Sequence, residues 1–433
     1  MEQQETSEGL HRVIGVKSLA SNVINNTVGA GIFVLPAIVA SQLGASGILS
    51  YLLCAILIAF VILCYIEIGK QITTSGGSYA YVEHAFGPFA GFLTNSLFLL
   101  GYSIASDAAI MNALTGMLFV LFPAIANPVS RISLFILIIG GLAFFNLRGA
   151  SQGVRIVNIS TFAKMIPLLL LVLVGFTYIT WGNLTFHSLP SLRLTGDTVL
   201  VLFFAFAGFE TPLNASGEIK NPRKTMPAGL LLGIFIVLIF YLSIQTVAQG
   251  VLGAQLPLHK DAPLAFVAEK IAGPAGSVFI LIASVISMFG TVGSDVFATP
   301  RLLFAGARDK LFPAFLAKVH PRFATPYLSI IVYSVLIFIF SVSGGFRQLA
   351  ILSSAALLVI YLAVILAMVK LKLRSGKETF KSKTGMIIPL IAIFLIVWLL
   401  SHLSKAELLS IVIFIAVFSG IYGLMKIAKK KVE

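Results

Sequence analysis

Charge is scarce in this chain, and that scarcity decides its solvent. Only 11% of the 433 residues are Asp, Glu, Lys or Arg, less than half the roughly 25% usual in a soluble domain. The hydrophobic share is 58% and the mean hydropathy is +1.02. A soluble fold of this length has no core large enough for so much apolar surface, so lipid must solvate much of it. Cysteine is almost missing: Cys54 and Cys64 stand in one apolar run, which excludes a disulfide framework and a metal-binding cluster. Acidic residues number 16 against 30 basic ones, a formal net charge of +14. In a soluble protein that excess points to nucleic acid. Here the basic residues gather at the ends of apolar runs, so membrane topology accounts for them and no nucleic-acid partner is expected.

Catalytic signatures are missing too. No Walker motif is present, so ATP is not the direct driver. No His-x-x-x-His or Gly-x-Ser-x-Gly falls within an apolar run, and His11, His84, His187, His320 and His402 sit in loops or at run ends. An enzyme, a cofactor and a metal site are therefore not expected. The N-terminus has no short apolar run followed by a small-residue cleavage site, so no signal peptide is expected.

What the chain does have is long apolar runs. A spanning helix needs about 20 apolar residues, and the pattern predicts an all-α membrane protein with twelve spans. They lie near 14–40, 45–69, 87–122, 131–147, 156–181, 197–217, 227–250, 275–300, 326–343, 346–369, 386–402 and 407–425. With the N-terminus inside, 23 of the 30 Lys and Arg fall on the cytoplasmic side, six outside, and Lys164 within a span. That asymmetry predicts a multi-pass protein of the cytoplasmic (inner) membrane with both termini in the cytoplasm. The acidic tail carrying Glu2, Glu5 and Glu8 reads as loose. The basic stretch from Lys370 to Lys383 reads as topology rather than as a contact with anionic lipid. The longest loops are expected at 182–196 and 251–274 outside, and at 301–325 and 370–385 inside.

Two spans carry helix breakers at matching depth. Span 1 contains Asn25-Asn26-Thr27-Val28-Gly29-Ala30-Gly31 and then Pro36; span 6 contains Ala205-Phe206-Ala207-Gly208-Phe209, then Glu210 and Pro212. Gly29 lies about 18 Å along the helix from Lys17, and Gly208 about 17 Å from Asp197, so both breaks fall near the midplane. The two spans are five apart, an odd number, so the second set of five is inverted relative to the first. Interrupted helices in matching places of two inverted halves are a pointer to a transporter site. An unwound segment frees N–H groups, which attract a carboxylate, and carbonyls, which attract an ammonium. A site with both ends suits a zwitterionic α-amino acid. Glycines that merely ease helix packing are the blander explanation, and two breaks at matching depth favour the site. A channel, built from filter loops or rings of subunits, fits two inverted halves less well than alternating access does.

These residues resemble the amino acid–polyamine–organocation superfamily of transporters over nearly the whole chain. Gly29-Ala30-Gly31-Ile32-Phe33-Val34-Leu35-Pro36 is similar to its span 1 signature. Ser75-Gly76-Gly77-Ser78-Tyr79-Ala80-Tyr81 with Phe86-Gly87-Pro88 is similar to its span 2–3 loop. The stretch from Phe204 to Glu210, continued by Gly217 to Lys224, is similar to span 6 and its exit loop. Ala307-Arg308-Asp309 and His320-Pro321-Arg322 are similar to its span 8–9 loop. The resemblance implies the leucine-transporter fold: inverted five-helix repeats over 14–181 and 197–369, two further helices over 386–425, and cytoplasmic tails at 1–13 and 426–433. It implies a sodium-independent secondary transporter of amino acids, coupled to protons. An exchanger of amino acids, or of amino acids against polyamines, is the alternative, and a non-transporting sensor on the same fold is a second. It also implies the site. The backbone around Ala30 and Gly31 would hold the carboxylate, and carbonyls around Thr27, Phe204 and Ala207 the amino group. The Phe204 ring would close over the substrate, and Gly29, Ala205, Gly208 and Ser106 complete the expected substrate-binding set. Neither cysteine is in a loop, so no disulfide-linked partner chain is expected; monomer and dimer both fit.

Ionisable groups within lipid are functional candidates by default. Lys164 lies about 14 Å beyond Arg155 along span 5, too deep to snorkel easily. By resemblance it stands where relatives bind sodium between spans 1, 5 and 8, with Ser287, Gly290 and Thr291 as neighbours. It either couples transport to protons or replaces a cation in an exchanger; a structural lysine on span 1 carbonyls is the bland reading. Glu210 either links the break to the gate or caps freed N–H groups. Asp107 favours a cationic substrate if it faces the site, and is a structural hydrogen-bonding group if it faces another helix, the preferred reading. Asp295 has no evident partner on its own helix, and Glu67 reads as paired with Lys70.

Overall fold

The computed structural model describes residues 12–72, 76–148, 153–186, 188–308, 311–374 and 385–430, without the side chains of 153–163 and 428–430. The acidic tail to residue 11, Ser75, His187, Asp309, the Arg155 side chain, most of the basic stretch before residue 385 and the last three residues lie outside the described residues.

Among the described residues the chain is helical, with loops, turns and one isolated parallel bridge between Ile14 and Ile219. Span 1 is split into α1 (Val16–Thr27) and α2 (Gly31–Leu43), and α3 (Ile48–Gly69) follows. Two shorter helices, α4 (Gly77–Phe86) and α5 (Pro88–Ser96), lead through a π-helical turn (Leu97–Tyr102) into α6 (Ser103–Leu121). Spans 4 and 5 are α7 (Pro128–Leu147) and α8 (Gly153–Gly175). Span 6 is α9 (Leu192–Phe206) followed by a 3₁₀ segment (Thr211–Glu218). Spans 7 to 10 are α10 (Pro222–Leu252), α11 (Pro263–Arg308), α12 (Tyr327–Ser343) and α13 (Phe346–Arg374). The last two are α14 (Ile387–Leu400) and α15 (Lys405–Lys430).

Among the described residues, eight stretches are long and apolar enough to cross a membrane, and three shorter apolar helices accompany them. One of the eight, Gly31–Gly69, holds both α2 and α3, so each of the twelve expected spans has its helix. The chain is a multi-pass membrane protein. α9 lies inside the bundle, walled by α2, α3, α13 and α14. At the rim, α7 and α15 leave Leu137, Phe145 and Val412 exposed, as lipid-facing helices must.

Close packing around the first break rests on small residues. Gly229 and Gly233, one turn apart on α10, face Leu19 and Val23 of α1; a Cβ at either glycine would stand 2.7 Å from those side chains. Small residues at this spacing let two membrane helices approach closely.

Two expectations need correction. The 251–274 stretch is not an open loop: Gly253–Leu258 forms a 3₁₀ turn, and α11 starts at Pro263 before its backbone breaks at Ala272 and Gly273. This early part of α11 buries Leu264, Ala265, Val267 and Ala268 and exposes Glu269 and Lys270. It is amphipathic, too short to span but well suited to lie against the bundle. The second half of span 6 is not an α-helix. Pro212 and the run of small and polar residues to Glu218 give a 3₁₀ segment, kinked at Ala215.

Candidate functional site

The two breaks touch. α1 stops at Thr27 and α2 starts at Gly31. α9 stops at Phe206, Ala207 turns extended, and Gly208 takes φ +112°. A Cβ on Gly31 would stand 2.9 Å from the Ala205 Cβ, and one on Gly208 would stand 2.6 Å from the Asn26 carbonyl oxygen. Only glycine fits at Gly208, for both conformation and space. The first N–H groups of α2 and the last carbonyls of α9 have no partner within their own helices. The contact between Gly31 and Ala205 brings these two opposite helix poles together.

Beside the breaks lies a cavity of about 460 Å³, within the range of small-molecule sites. Its wall holds Thr27, Gly29, Ala30 and Gly31 from span 1. Phe204, Ala205, Ala207 and Gly208 line it from span 6, and Ser106 from α6. All nine residues expected at a substrate site thus border one cavity. Of the five coupling and gating residues, Lys164 and Thr291 border it, while Glu210, Asp107 and Ser287 are buried behind the wall. The cavity reaches from the breaks past Phe98, Asn214 and Leu302, towards the end of the bundle where Lys17, Lys70 and Arg301 lie. On the opposite side Phe204 is covered by Phe346, ring centroids 5.7 Å apart at 87°.

The ionisable groups have specific partners. Lys164, 3% exposed, donates from Nζ to the Asn25 carbonyl near the end of α1, at 2.7 Å. The Glu210 carboxylate accepts from its neighbour Gly208 N–H at 3.1 Å and from the Tyr361 hydroxyl at 2.6 Å. It caps the freed backbone and ties the break to α13 at once. Asp107 does not face the cavity; it accepts from the Tyr333 hydroxyl at 2.9 Å. Asp295, whose partner the sequence left open, borders the cavity and lies beside Asp107. Ser287 is buried beside Thr291, which donates to its carbonyl at 3.0 Å. Glu67 pairs not with Lys70 but with Lys372 of α13, at 2.7 Å; the tertiary fold supplies a partner that sequence proximity hid.

Tyr241 escaped the sequence reading. Its hydroxyl lies 2.8 Å from both the Thr27 and the Ala205 carbonyls, so it bridges the two breaks. The Thr27 carbonyl, expected to face an amino group, is therefore engaged by a tyrosine. A tyrosine within the apolar span 7 carries no local signal. Its role depends on α10 packing against α1.

A further link joins the ends of both broken spans. The Val13 and Ile14 N–H groups donate to the Glu218 carbonyl at 2.8 and 2.9 Å, and the Lys220 N–H donates to the Ile14 carbonyl at 2.9 Å. Gly76 N–H donates to the Asn214 carbonyl at 3.0 Å, so the span 2–3 connection also seats on the 3₁₀ segment.

A sequence model of an amino acid permease family matches residues 14–427. The methylthioribose transporter of Bacillus subtilis (strain 168) is 29% identical, with 97% of this chain and 95% of that protein covered. The branched-chain amino acid permease BcaP of Lactococcus lactis subsp. cremoris (strain MG1363) is 27% identical, with 87% and 85% covered. The serine/threonine exchanger SteT of Bacillus subtilis (strain 168) is 27% identical, with 86% and 85% covered.

Proposed function

Because the chain belongs to the amino acid permease family, we propose that its central cavity binds a free α-amino acid and that the protein carries it across the cytoplasmic membrane by alternating access. One observation carries the reading. The amide end of α2 meets the carbonyl end of α9 at the contact between Gly31 and Ala205. The first attracts a carboxylate and the second an ammonium, and an α-amino acid carries both on one carbon. Thr27, Gly29, Ala30, Gly31, Phe204, Ala205, Ala207, Gly208 and Ser106 form the binding set. The cavity wall holds Ile110 and Phe204 beside Lys164 and Asp295, two opposite charges that offset each other, which suits a neutral amino acid.

The repeats are 14–181 and 197–369, with α14 and α15 outside them, and both termini are cytoplasmic. The basic end of the bundle is then the cytoplasmic end, and the cavity is open inward with Phe204 and Phe346 as its outer closure. Lys164, held on the carbonyl at the end of α1 and reaching towards α11, takes the place of a bound cation. Transport is therefore sodium-independent and draws on protons; exchange of internal for external amino acid is the alternative. Substrate binding must favour the occluded state over the open ones, since equal affinity for all states would shift nothing.

The relative named a methylthioribose transporter sets a second reading. A neutral sugar thioether has no carboxylate for α2 and no ammonium for α9. The test is uptake into proteoliposomes of labelled neutral and cationic amino acids and methylthioribose, with and without an inward proton gradient and with and without internal amino acid. Saturable uptake of an α-amino acid, inhibited by its unlabelled form and unaffected by sodium, is expected. Uptake of methylthioribose alone would overturn the amino-acid reading, and binding of an amino acid with no movement under any condition would favour a sensor.

A further inference from the structure

Asp107 is fully buried, yet the conventional partner of its carboxyl is a single hydroxyl, that of Tyr333 on α12 at 2.9 Å. Its other oxygen, Oδ1, is buried with no conventional donor among the described residues. The Asp295 carboxyl of α11 lies beside Asp107, on a helix that packs along α6. Two carboxylates are acceptors only, so a hydrogen bond between them requires a proton. Two like charges this close in a dry site do not both ionise.

The surroundings give that proton a route. Asp295, Thr291 and Thr299 repeat every four residues on α11 and all border the cavity, so they form one stripe along the helix. Thr299 lies beside Tyr333, whose hydroxyl donates to Asp107. The pair thus meets the cavity directly at Asp295 and, through Tyr333, at Thr299. The titratable groups turned towards the pair come from several elements. Lys164 of α8 acts on Asp295, and Tyr333 of α12 and Tyr102 of the π-helical turn face Asp107 and Asp295. Glu210 of the break faces Tyr102 and Tyr361 of α13.

We propose that Asp107 and Asp295 always keep one proton between them, and that a second proton taken up by this pair, rather than by Lys164, drives uptake. The inference rests on the proton-coupled reading above. Asp107 stays dry while Asp295 meets water in the cavity. The proton enters the pair from water on one side and leaves to water on the other. When it leaves, Asp107 keeps the first proton, and the single charge left on Asp295 is balanced by Lys164. Lys164 stays on the Asn25 carbonyl as a fixed cation, its ammonium donating where a metal ion would accept.

The test uses full-length protein in liposomes, wild type beside Asp295→Asn, Asp107→Asn and Tyr333→Phe. At one proton per substrate, a gradient of one pH unit supports about tenfold accumulation. Wild type is expected to reach that order. Asp295→Asn and Asp107→Asn are expected to lose accumulation while retaining counterflow exchange of the same amino acid. Tyr333→Phe should shift the pH midpoint of uptake and leave exchange intact. Accumulation retained in Asp295→Asn overturns the proposal, as does a wild type that exchanges amino acids but ignores the proton gradient; neither result touches amino-acid binding. If no amino acid moves at all, the substrate reading fails, and a second readout still decides the pair. Infrared spectra with isotope-labelled aspartate should show a protonated aspartic carboxyl at neutral pH that vanishes in Asp107→Asn. Absence of that band in wild type overturns the proposal, and it does so even if Asp107→Asn fails to fold.

Discussion

Gly29 and Gly208 sit at the two breaks, but their reasons for being glycine differ. A Cβ at Gly29 would meet nothing within 4 Å, and Gly29 borders the cavity. A Cβ at Gly208 would strike the Asn26 carbonyl, and φ is +112° there. Gly29→Leu is therefore expected to fill the cavity from its wall, abolishing amino-acid binding while the protein elutes as a single peak with unchanged melting temperature. Gly208→Ala is expected to strain the backbone by about 1–3 kcal/mol and push α9 off α1, lowering both melting temperature and uptake. Substrate-dependent thermal shift measured on both variants separates the two. A stabilising shift retained in Gly29→Leu would count against the cavity as the binding site. Both glycines stand out in the sequence as breakers. Which of them faces open space is a property of the assembled helices alone.

At the scale of elements, the two broken spans are tied at their basic ends. Val13 and Ile14, just before α1, share backbone hydrogen bonds with Glu218 and Lys220, just after the 3₁₀ segment. Backbone hydrogen bonds at two successive residues fix register as well as distance, so α1 and the 3₁₀ segment should swing as one body when the cavity closes. Neighbouring strand-like residues lie close enough for a disulfide. The double variant Ile14→Cys with Ile219→Cys is therefore expected to cross-link on oxidation and to keep most of its transport. Loss of uptake on oxidation, regained on reduction, would mean that the two ends separate during the cycle. The native Cys54 and Cys64 are buried and should not interfere. The sequence located both broken helices, because glycine and proline act locally. It did not foresee that the second half of span 6 would be a 3₁₀ segment, nor this tie, since Val13 and Glu218 are far apart in the chain.

For the whole molecule, the direction in which the cavity opens is the property with most consequence. Its wall runs from the breaks to Asn214 and Leu302, and Phe204 with Phe346 closes the other side. With the basic end in the cytoplasm, Leu302→Cys should react with a membrane-impermeant thiol reagent from the cytoplasmic face only. Saturating substrate should slow that reaction several-fold as the population shifts towards the occluded state. Equal reaction from both faces of sided vesicles would contradict the orientation.

The sequence by itself determined that the protein lives in lipid, that it has twelve spans, and that spans 1 and 6 are interrupted. Those features are written in composition, run length and the backbone preferences of glycine and proline, all of which act within a few residues. Tertiary structure alone decided the partners. Asp107 finds Tyr333 and Asp295, Glu210 finds Tyr361, Glu67 finds Lys372 rather than Lys70, and Tyr241 spans the two breaks. Each of these contacts joins residues on different spans. In lipid the apolar surfaces of neighbouring helices are nearly equivalent, so helix order in the chain does not say which side chains meet; the close fit of small residues and the need to satisfy buried polar groups decide it.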